Sequence, residues 1–324
     1  MPLSRKFCVA PMMNWTDRHC RAFMRLISER ATLYTEMITT GALLYGDADY
    51  HLKIDADESP VALQLGGSDP RELEKCSNLV EKYSYSEINL NCGCPSDRVQ
   101  NALFGAVMMK NAKLTAQCVS SLLNSSQLPI TVKHRIGVDN FDSYEFLYDF
   151  IGTVSDVGCK TFIIHARKAW LKGLSPKQNR EIPELNYDRV YQLKNDFPDL
   201  EIVINGGISS IEDSINHLKV LDGVMVGREA YTNPYLLAEV DQKIYGQDKP
   251  IIKREEIAEK FCEYIDNEMR KGTKLHSMTR HMLGLFRGVK GAKQFRRYLS
   301  ENAYSENAST DVLYNALSKT EGAT

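Results

Sequence analysis

The sequence predicts a (β/α)8 barrel, the TIM-barrel class, followed by a C-terminal helical domain. Eight short apolar or β-branched runs, bounded by turn residues, occur within the first 230 residues. Segments long enough for a helix separate these runs, and such alternation is typical of a parallel sheet covered by helices. Eight strand-helix units in about 240 residues also match the usual barrel length of about 250 residues.

The strands are predicted from their apolar character and their flanking turns. They lie at 7–10, 33–37, 61–65, 87–91, 130–133, 161–165, 201–205 and 223–226. Between them, 69–83 and 187–197 predict helices. A doubly wound sheet is the structural alternative, but it usually has fewer strands, and no GxGxxG follows the first strand.

The region after the last strand predicts a different organisation. A turn-rich segment at 245–250 precedes 254–270 and 277–299, whose apolar residues recur at helical spacing. We therefore expect the barrel over 1–240, a linker over 241–250 and a helical domain over 251–324. The last 20 residues predict a mobile tail beyond a short helix.

Composition describes an ordinary globular protein of 324 residues, with 43% hydrophobic and 25% charged residues. The N-terminus resembles no signal peptide, and no apolar stretch has membrane-spanning length, so we expect a cytoplasmic protein without a membrane partner. The eight cysteines form neither a CxxC nor a zinc-finger spacing. We therefore expect no disulfide framework and no metal, and we take the protein to be a monomer.

The charge distribution favours a nucleic-acid partner that the net charge alone would disfavour. The formal net charge is −2. Residues 270–300 nevertheless contain nine Lys or Arg, two His and no Asp or Glu. This segment predicts a local positive field.

A barrel places its functional side chains at the C-terminal ends of its strands, which share one face. Polar or turn-forming residues follow the predicted strands at Pro11, Met12, Met13, Glu36, Gln64, Asn91, Cys94, Lys133, His165, Asn205, Gly206, Gly207, Gly227 and Arg228. Taken singly, Gln64 has an ordinary explanation as a core amide, His165 as a core histidine and Lys133 as a rim lysine. Their recurrence at seven strand ends favours a site.

The last two strand ends predict a phosphate site. Gly206, Gly207 and Gly227 allow backbone N–H groups to approach an anion, and Arg228 can clamp it. Ordinary turn glycines are the alternative explanation. Lys133 and His165 would then face a ring, where a fixed cation stabilises an anionic reduced flavin. The set predicts an FMN site.

The motif NLNCGCP at 89–95 places two cysteines where a strand turns. In a cytosolic protein such a thiol more often does chemistry than forms a disulfide. Strand alternation puts Asn89 and Asn91 on one side, but the spacing leaves open whether Cys92 or Cys94 faces the site.

These motifs resemble those of the tRNA-dihydrouridine synthases. The resemblance is carried by VAPMMNWTDR at 9–18, YTEM at 34–37, LQLGG at 63–67, NLNCGCPSDR at 89–98, FIIHARK at 162–168 and VINGG at 203–207. LSPKQNR at 174–180 and GAKQFRRYLS at 291–300 resemble the bacterial A branch of that family. Two departures are Asn14, where relatives have Asp, and Val107, where a Cys often follows the Gly-Ala pair.

The resemblance implies an FMN enzyme that uses NADPH to reduce the C5–C6 bond of tRNA D-loop uridines 20 and 20a. Cys94, rather than Cys92, would protonate C5 while reduced FMN gives hydride to C6. FMN would be held by Pro11, Met12, Met13, Gln64, Lys133, His165, Asn205, Gly206, Gly207, Gly227 and Arg228. The implied RNA contacts are Asn91, Lys177, Arg180, Lys293, Arg296 and Arg297.

General chemistry agrees with these roles. A thiol, with a pKa near 8.5, is mostly protonated at neutral pH and can donate a proton. A stacked uracil must be flipped out to react, which needs a grip on the RNA backbone. We expect that grip from a helix over 277–299, on which Arg287, Lys290, Lys293, Arg296 and Arg297 share a face.

Two alternatives remain at this stage. An FMN reductase of free pyrimidines would keep the barrel and the cysteine but has no use for the basic segment. A non-catalytic RNA-binding protein would use the basic segment but leave the predicted flavin site idle.

Overall fold

The computed structural model describes residues 3–320 and confirms the barrel. The eight strands are β1 Phe7–Val9, β2 Leu33–Thr39, β3 Val61–Gly66, β4 Glu87–Cys92, β5 Ile130–Arg135, β6 Thr161–His165, β7 Glu201–Asn205 and β8 Gly223–Val226. Every predicted strand is present, and the last three have the predicted bounds.

All neighbouring strands pair in parallel, in the order β1-β8-β7-β6-β5-β4-β3-β2. The remaining gap, between β1 and β2, is bridged at Thr32. The Val9 N–H donates to the Thr32 carbonyl at 2.9 Å, and the Thr32 N–H donates to the Phe7 carbonyl at 3.0 Å. This bridge brings all eight C-terminal strand ends to one rim.

Helices surround the barrel and continue beyond it. The α-helices of the described part are α1 Arg18–Ile27, α2 Thr40–Tyr45, α3 Ala48–Leu52, α4 Pro70–Val80, α5 Asp97–Asn101, α6 Ala112–Ser125, α7 Tyr144–Asp156, α8 Tyr187–Asp196, α9 Ile211–Leu218, α10 Arg228–Thr232, α11 Val240–Lys243, α12 Arg254–Arg270, α13 Leu275–Thr279, α14 Ala292–Asn302 and α15 Asp311–Leu317. Short 3-10 helices lie at Ala56–Glu58, Gly105–Lys110, Gln178–Arg180 and Pro234–Glu239. The predicted helices at 69–83, 187–197 and 254–270 correspond to α4, α8 and α12. No helix in the part of the chain that the structure describes is long and apolar enough to cross a membrane.

The barrel interior contains an apolar cluster and, separately, a row of buried polar side chains. Its apolar part is a separate cluster formed by Cys8, Ala10, Tyr34, Ala62, Ile163, Val203 and Met225. On β4, the buried residues Glu87, Asn89 and Asn91 alternate along the strand and therefore point to the same side. This polar row runs along β4 toward its C-terminal end, at the rim that carries the predicted site residues.

The predicted helix over 277–299 is wrong. Helix α13 ends at Thr279, and α14 begins only at Ala292. Gly288 and Gly291 have φ of 83° and 90°, a left-handed conformation that ends helices and that glycine adopts without a Cβ clash. A Cβ on Gly291 would lie 2.0 Å from the Lys319 carbonyl oxygen, so close packing also requires the break.

The C-terminal helices share one continuous core with the barrel. Phe261 on α12 packs against Phe23 on α1 with ring centroids 4.9 Å apart. Glu268, 1% exposed, forms an ion pair with Arg18 on the same barrel helix. The predicted short helix near the C-terminus is α15. The predicted mobile tail falls in part on residues 321–324, which lie outside the described residues.

Candidate active site

Cys94 lies in a tight turn directly after β4. The side-chain oxygen of Asn91 accepts hydrogen bonds from the N–H groups of Gly93 and Cys94, at 3.1 and 3.0 Å. Gly105, at φ 74°, packs under the turn, because a Cβ there would lie 2.6 Å from the Cys94 carbonyl oxygen. The Cys94 Sγ is 3.5 Å from the Ser96 hydroxyl. The turn thus holds the thiol at the rim.

Exposure separates the two cysteines of the motif. Cys92 is completely buried, and burial raises its pKa well above the ordinary value. Of the eight cysteines, only Cys94 is not buried. The structure therefore favours Cys94 as the thiol that a substrate can reach, whereas strand alternation alone left the choice open.

Lys133 and His165 lie on neighbouring strands at the same rim. The Lys133 ammonium donates to the Asn205 side-chain oxygen at 3.1 Å, and the Asn205 amide donates to the Met225 carbonyl at 2.7 Å. Burial, and then repulsion from Arg135, lower the pKa of Lys133 to about 7. Burial, Arg135 and Lys133 also lower the pKa of His165 well below its ordinary range, which keeps the imidazole neutral.

The Nδ1 atom of His165 is buried and has no hydrogen-bond partner within residues 3–320. A buried polar atom without a partner costs about 1–3 kcal/mol. Beside it, Lys133 makes no ion pair with any described carboxylate. Both groups would be satisfied by a ligand that presents hydrogen-bonding atoms and negative charge.

Arg135 is a site residue that the sequence prediction missed, because the predicted strand stopped two residues short. It is 4% exposed and donates to the carbonyls of Gly93 at 3.0 Å, Lys168 at 2.9 Å and Asn179 at 3.0 Å. Burial, together with repulsion from nearby arginines, lowers its pKa to about 10. The alternation of Lys133 and Arg135 on one strand was the signal that could have revealed it.

The glycines after β7 and β8 differ in whether backbone conformation or lack of space requires a glycine there. Gly206 and Gly207 have φ of 112° and 76°. A Cβ on Gly207 would lie 2.6 Å from a Leu185 methyl and 2.7 Å from the Tyr187 hydroxyl. Gly227 has neither a left-handed φ nor a clash, since a Cβ added there would meet its nearest atom at 3.8 Å. Space for a ligand therefore remains at Gly227.

Arg228 opens α10 and is exposed. It pairs with the Glu181 carboxylate at 2.6 Å, and both side chains are more than 40% exposed. An exposed ion pair of this kind contributes little stability. Arg228 can therefore exchange this partner for a phosphate at small cost.

The loop after β1 covers another part of the rim. Pro11 and Met12 are half-buried, whereas Met13 is 55% exposed. Trp15 stacks on Tyr231 of α10 with ring centroids 4.3 Å apart. The loops after β1 and β8, which carry predicted cofactor contacts, therefore pack against each other.

The predicted RNA contacts fall in three places. Asn91 is buried and is engaged by the Cys94 turn. Lys177 and Arg180 are exposed in the loop after β6. The third group lies on α14, where the exposed residues are Lys293, Arg296 and Arg297.

Several cations of the basic segment 270–300 are neutralised by ion pairs that the sequence did not reveal. Acidic residues outside the segment pair with several of its cations, in the pairs Lys271–Glu268, Arg280–Asp17, Arg287–Glu229 and Arg297–Glu301. Arg287 and Lys290 lie in the turns before α14 rather than on a common helix face. On α14, Lys293 and Arg296 make no ion pair with any described residue.

Taken together, the rim fits FMN. Lys133, Arg135 and Arg180 lie close enough to His165 to act on its pKa, beside its unpartnered nitrogen, and Gly227 leaves room for an anion. Gln64, 1% exposed, keeps one N–H and one lone pair free after its two hydrogen bonds to Asn89 and Asn91.

Comparison with known proteins agrees with this geometry. The model of the dihydrouridine synthase family matches residues 8–321. The chain belongs to the dihydrouridine synthase family. It is 58% identical to the tRNA-dihydrouridine(20/20a) synthase of Escherichia coli strain K12 over 97% of this chain and 91% of that protein. It is 55% identical to the enzyme of the same name from Vibrio cholerae, over 98% of both chains.

Two solved structures share the barrel fold at only 10% identity. Morphinone reductase has a TM-score of 0.51 over 78% of this chain and 88% of its own. The old yellow enzyme homologue from Zymomonas mobilis has a TM-score of 0.53 over 77% and 90%.

Membership of the dihydrouridine synthase family confirms the resemblance found in the sequence motifs. The protein is a flavin-dependent oxidoreductase, and its cofactor is FMN. Within residues 3–320, no group of three or more His, Cys, Asp or Glu side chains is arranged to hold a metal ion.

Proposed function

We propose that this protein reduces uridines 20 and 20a in the D-loop of tRNA to 5,6-dihydrouridine, with NADPH as the source of electrons. The observation that carries the proposal is the position of Cys94. It is the one cysteine that is not buried, and it lies on the same rim as Lys133 and Arg135. The relatives in Escherichia coli and Vibrio cholerae are named for this specificity.

In this proposal the rim residues divide the work. Bound FMN supplies the hydride that C6 of uracil accepts. The Cys94 thiol donates the proton to C5, and the Asn91 side chain holds the turn that aims this thiol. Lys133 and Gln64 would bind the flavin ring, the unpartnered Nδ1 of His165 would hydrogen-bond to the cofactor, and Arg228 would bind its phosphate.

The remaining proposed FMN contacts complete the cofactor site. They are Pro11, Met12, Met13, Asn205, Gly206, Gly207 and Gly227. The half-buried loop after β1 would cover one side of the ring. The glycines would let backbone N–H groups approach the phosphate.

The substrate must be a flipped uridine, because a stacked base cannot reach Cys94. Arg180 and Lys177 are exposed beside the rim and would contact the flipped nucleotide, together with Asn91. The exposed cations of α14 would bind the RNA backbone away from the rim; they are Lys293, Arg296 and Arg297. We accordingly propose a catalytic barrel over 1–240, a linker over 241–250 and a tRNA-binding helical domain over 251–324, acting as a cytoplasmic monomer without a metal.

Mapping dihydrouridine in tRNA tests the proposal. In cells that lack this protein and any redundant synthase, we expect loss at positions 20 and 20a and restoration by the wild-type gene. Cys94→Ala should not restore the modification, because general acid catalysis contributes about 10²–10⁴-fold to a rate. Cys92→Ala is the matched control and should restore it.

Two results would contradict this function. An unchanged dihydrouridine profile in the deletion strain would remove the tRNA assignment and favour the free-pyrimidine reductase. Full restoration by Cys94→Ala would keep the substrate but reject Cys94 as the acid.

A further inference from the structure

A continuous chain of hydrogen-bonded side chains runs through the barrel interior beneath the active site. The Asn91 amide donates to the Gln64 oxygen at 2.8 Å, and the Gln64 amide donates to the Asn89 oxygen at 2.7 Å. The Asn89 amide then donates to the Thr131 hydroxyl at 2.8 Å, which donates to the Glu87 carboxylate at 2.5 Å. All five residues are buried.

The two ends of this chain impose the same direction on every amide. At the lower end Glu87 is ion-paired with Arg5 at 2.6 Å, and an ionised carboxylate can only accept. At the upper end the backbone N–H groups of Gly93 and Cys94 can only donate, and both donate to the Asn91 oxygen. No amide in between can turn over without placing donor against donor or acceptor against acceptor.

We propose that Glu87 and Thr131 are positioning residues for the reduction, which fix the amide orientation of Gln64 and the turn that carries Cys94. Neither residue lies at the rim, so both act through other side chains. This inference rests on the proposed function, since the reaction that these residues would support is the proposed reduction of uridine. It adds residues that belong to neither the predicted cofactor site nor the predicted RNA site.

Thr131 is the member of the chain that can be changed most cleanly. Its hydroxyl both accepts from Asn89 and donates to Glu87, which a methyl group of the same size cannot do. Without that hydroxyl, the Asn89 amide loses its acceptor, and of its two partners in this chain only the Gln64 N–H still orients it. The direction of the amides would then be held only from the Gly93 and Cys94 end, and the loosened Asn89 would relax the positions of Gln64, Asn91 and the Cys94 turn.

The test compares Thr131→Val with Thr131→Ser, which keeps the hydroxyl, in the FMN-loaded protein. Alkylation of Cys94 by iodoacetamide, followed by peptide mass spectrometry, reports the turn independently of turnover. We expect Thr131→Val to alkylate several-fold faster, to bind FMN several-fold more weakly, and to lose about tenfold in kcat with KM for tRNA unchanged. Thr131→Ser should stay within about twofold of wild type in all three.

If Thr131→Val has the same alkylation rate and kcat as the wild type, the proposal is overturned, even if the melting temperature of the variant is lower. The hydrogen-bonded side chains would then only stabilise the barrel. If the valine variant does not fold, Thr131→Ala removes the hydroxyl without adding an apolar group and allows the same comparison. Should wild-type protein fail to reduce tRNA at all, the proposed function fails. Alkylation and FMN affinity would still decide whether Thr131 positions the site.

Discussion

Replacing Lys133 should change how FMN affinity depends on pH. Burial and repulsion from Arg135 lower the pKa of Lys133 from 10.5 to about 7. Since each unit of pKa corresponds to about 1.4 kcal/mol, the cofactor-free fold disfavours the ammonium by about 5 kcal/mol. Negative charge bound beside Lys133 raises this pKa again. FMN binding should therefore be coupled to uptake of a proton.

The sign of the effect follows from which state holds the proton. Between pH 7 and 10.5 the unfolded chain keeps Lys133 protonated, whereas the cofactor-free fold does not. The free energy of unfolding of the cofactor-free protein should therefore rise with pH in this window, by up to about 1.4 kcal/mol per unit. In the same window FMN must bring a proton with it, so its Kd should weaken by up to about tenfold per unit.

Quenching of FMN fluorescence, titrated from about pH 6 to about pH 9.5, measures this dependence. Lys133→Met removes the titrating group and should give weaker binding at pH 7 with a nearly flat pH profile. Lys168→Met is the control, because Lys168 is a rim lysine paired with Asp142 at 2.6 Å, and it should keep the wild-type profile. Equal slopes in wild type and Lys133→Met would refute the reasoning.

Two further predictions concern the cofactor glycines and the RNA surface. Gly207→Ala should lower the free energy of unfolding by about 2–4 kcal/mol and reduce FMN content, because it adds a steric clash to a strained φ. Gly246 is the control, since it has φ 67° and nothing lies within 4 Å of an added Cβ. Gly246→Ala should therefore lower the free energy of unfolding by only about 1 kcal/mol, measured by thermal melting. Arg296→Gln should weaken tRNA binding and reduce the slope of its salt dependence by about 1. Arg297→Gln removes the same single charge but should change both less, because Arg297 is paired with Glu301. Equal effects within either comparison would contradict the structural argument.

Much of the fold and the site was accessible from the sequence because the relevant signals are local. Strand alternation and turn residues located all eight strands, and the strand ends predicted that Gln64, Lys133 and His165 lie at one rim. The helix over 277–299 failed because apolar spacing continues through it while Gly288 and Gly291 adopt left-handed conformations. The pattern carries no information about φ, and the tight contact of Gly291 with Lys319 depends on the folded chain.

The sequence by itself determined the barrel, the family and the position of the candidate site, since these depend on residues close together in the chain. The tertiary structure decided that Cys94 is reachable and Cys92 is not. It also buried Arg135 between the Cys94 turn and the loop after β6, and it supplied acidic partners for several cations of the basic segment. The direction of the amide chain from Glu87 to Asn91 likewise emerges only in the fold, because its donors and acceptors come from three different strands.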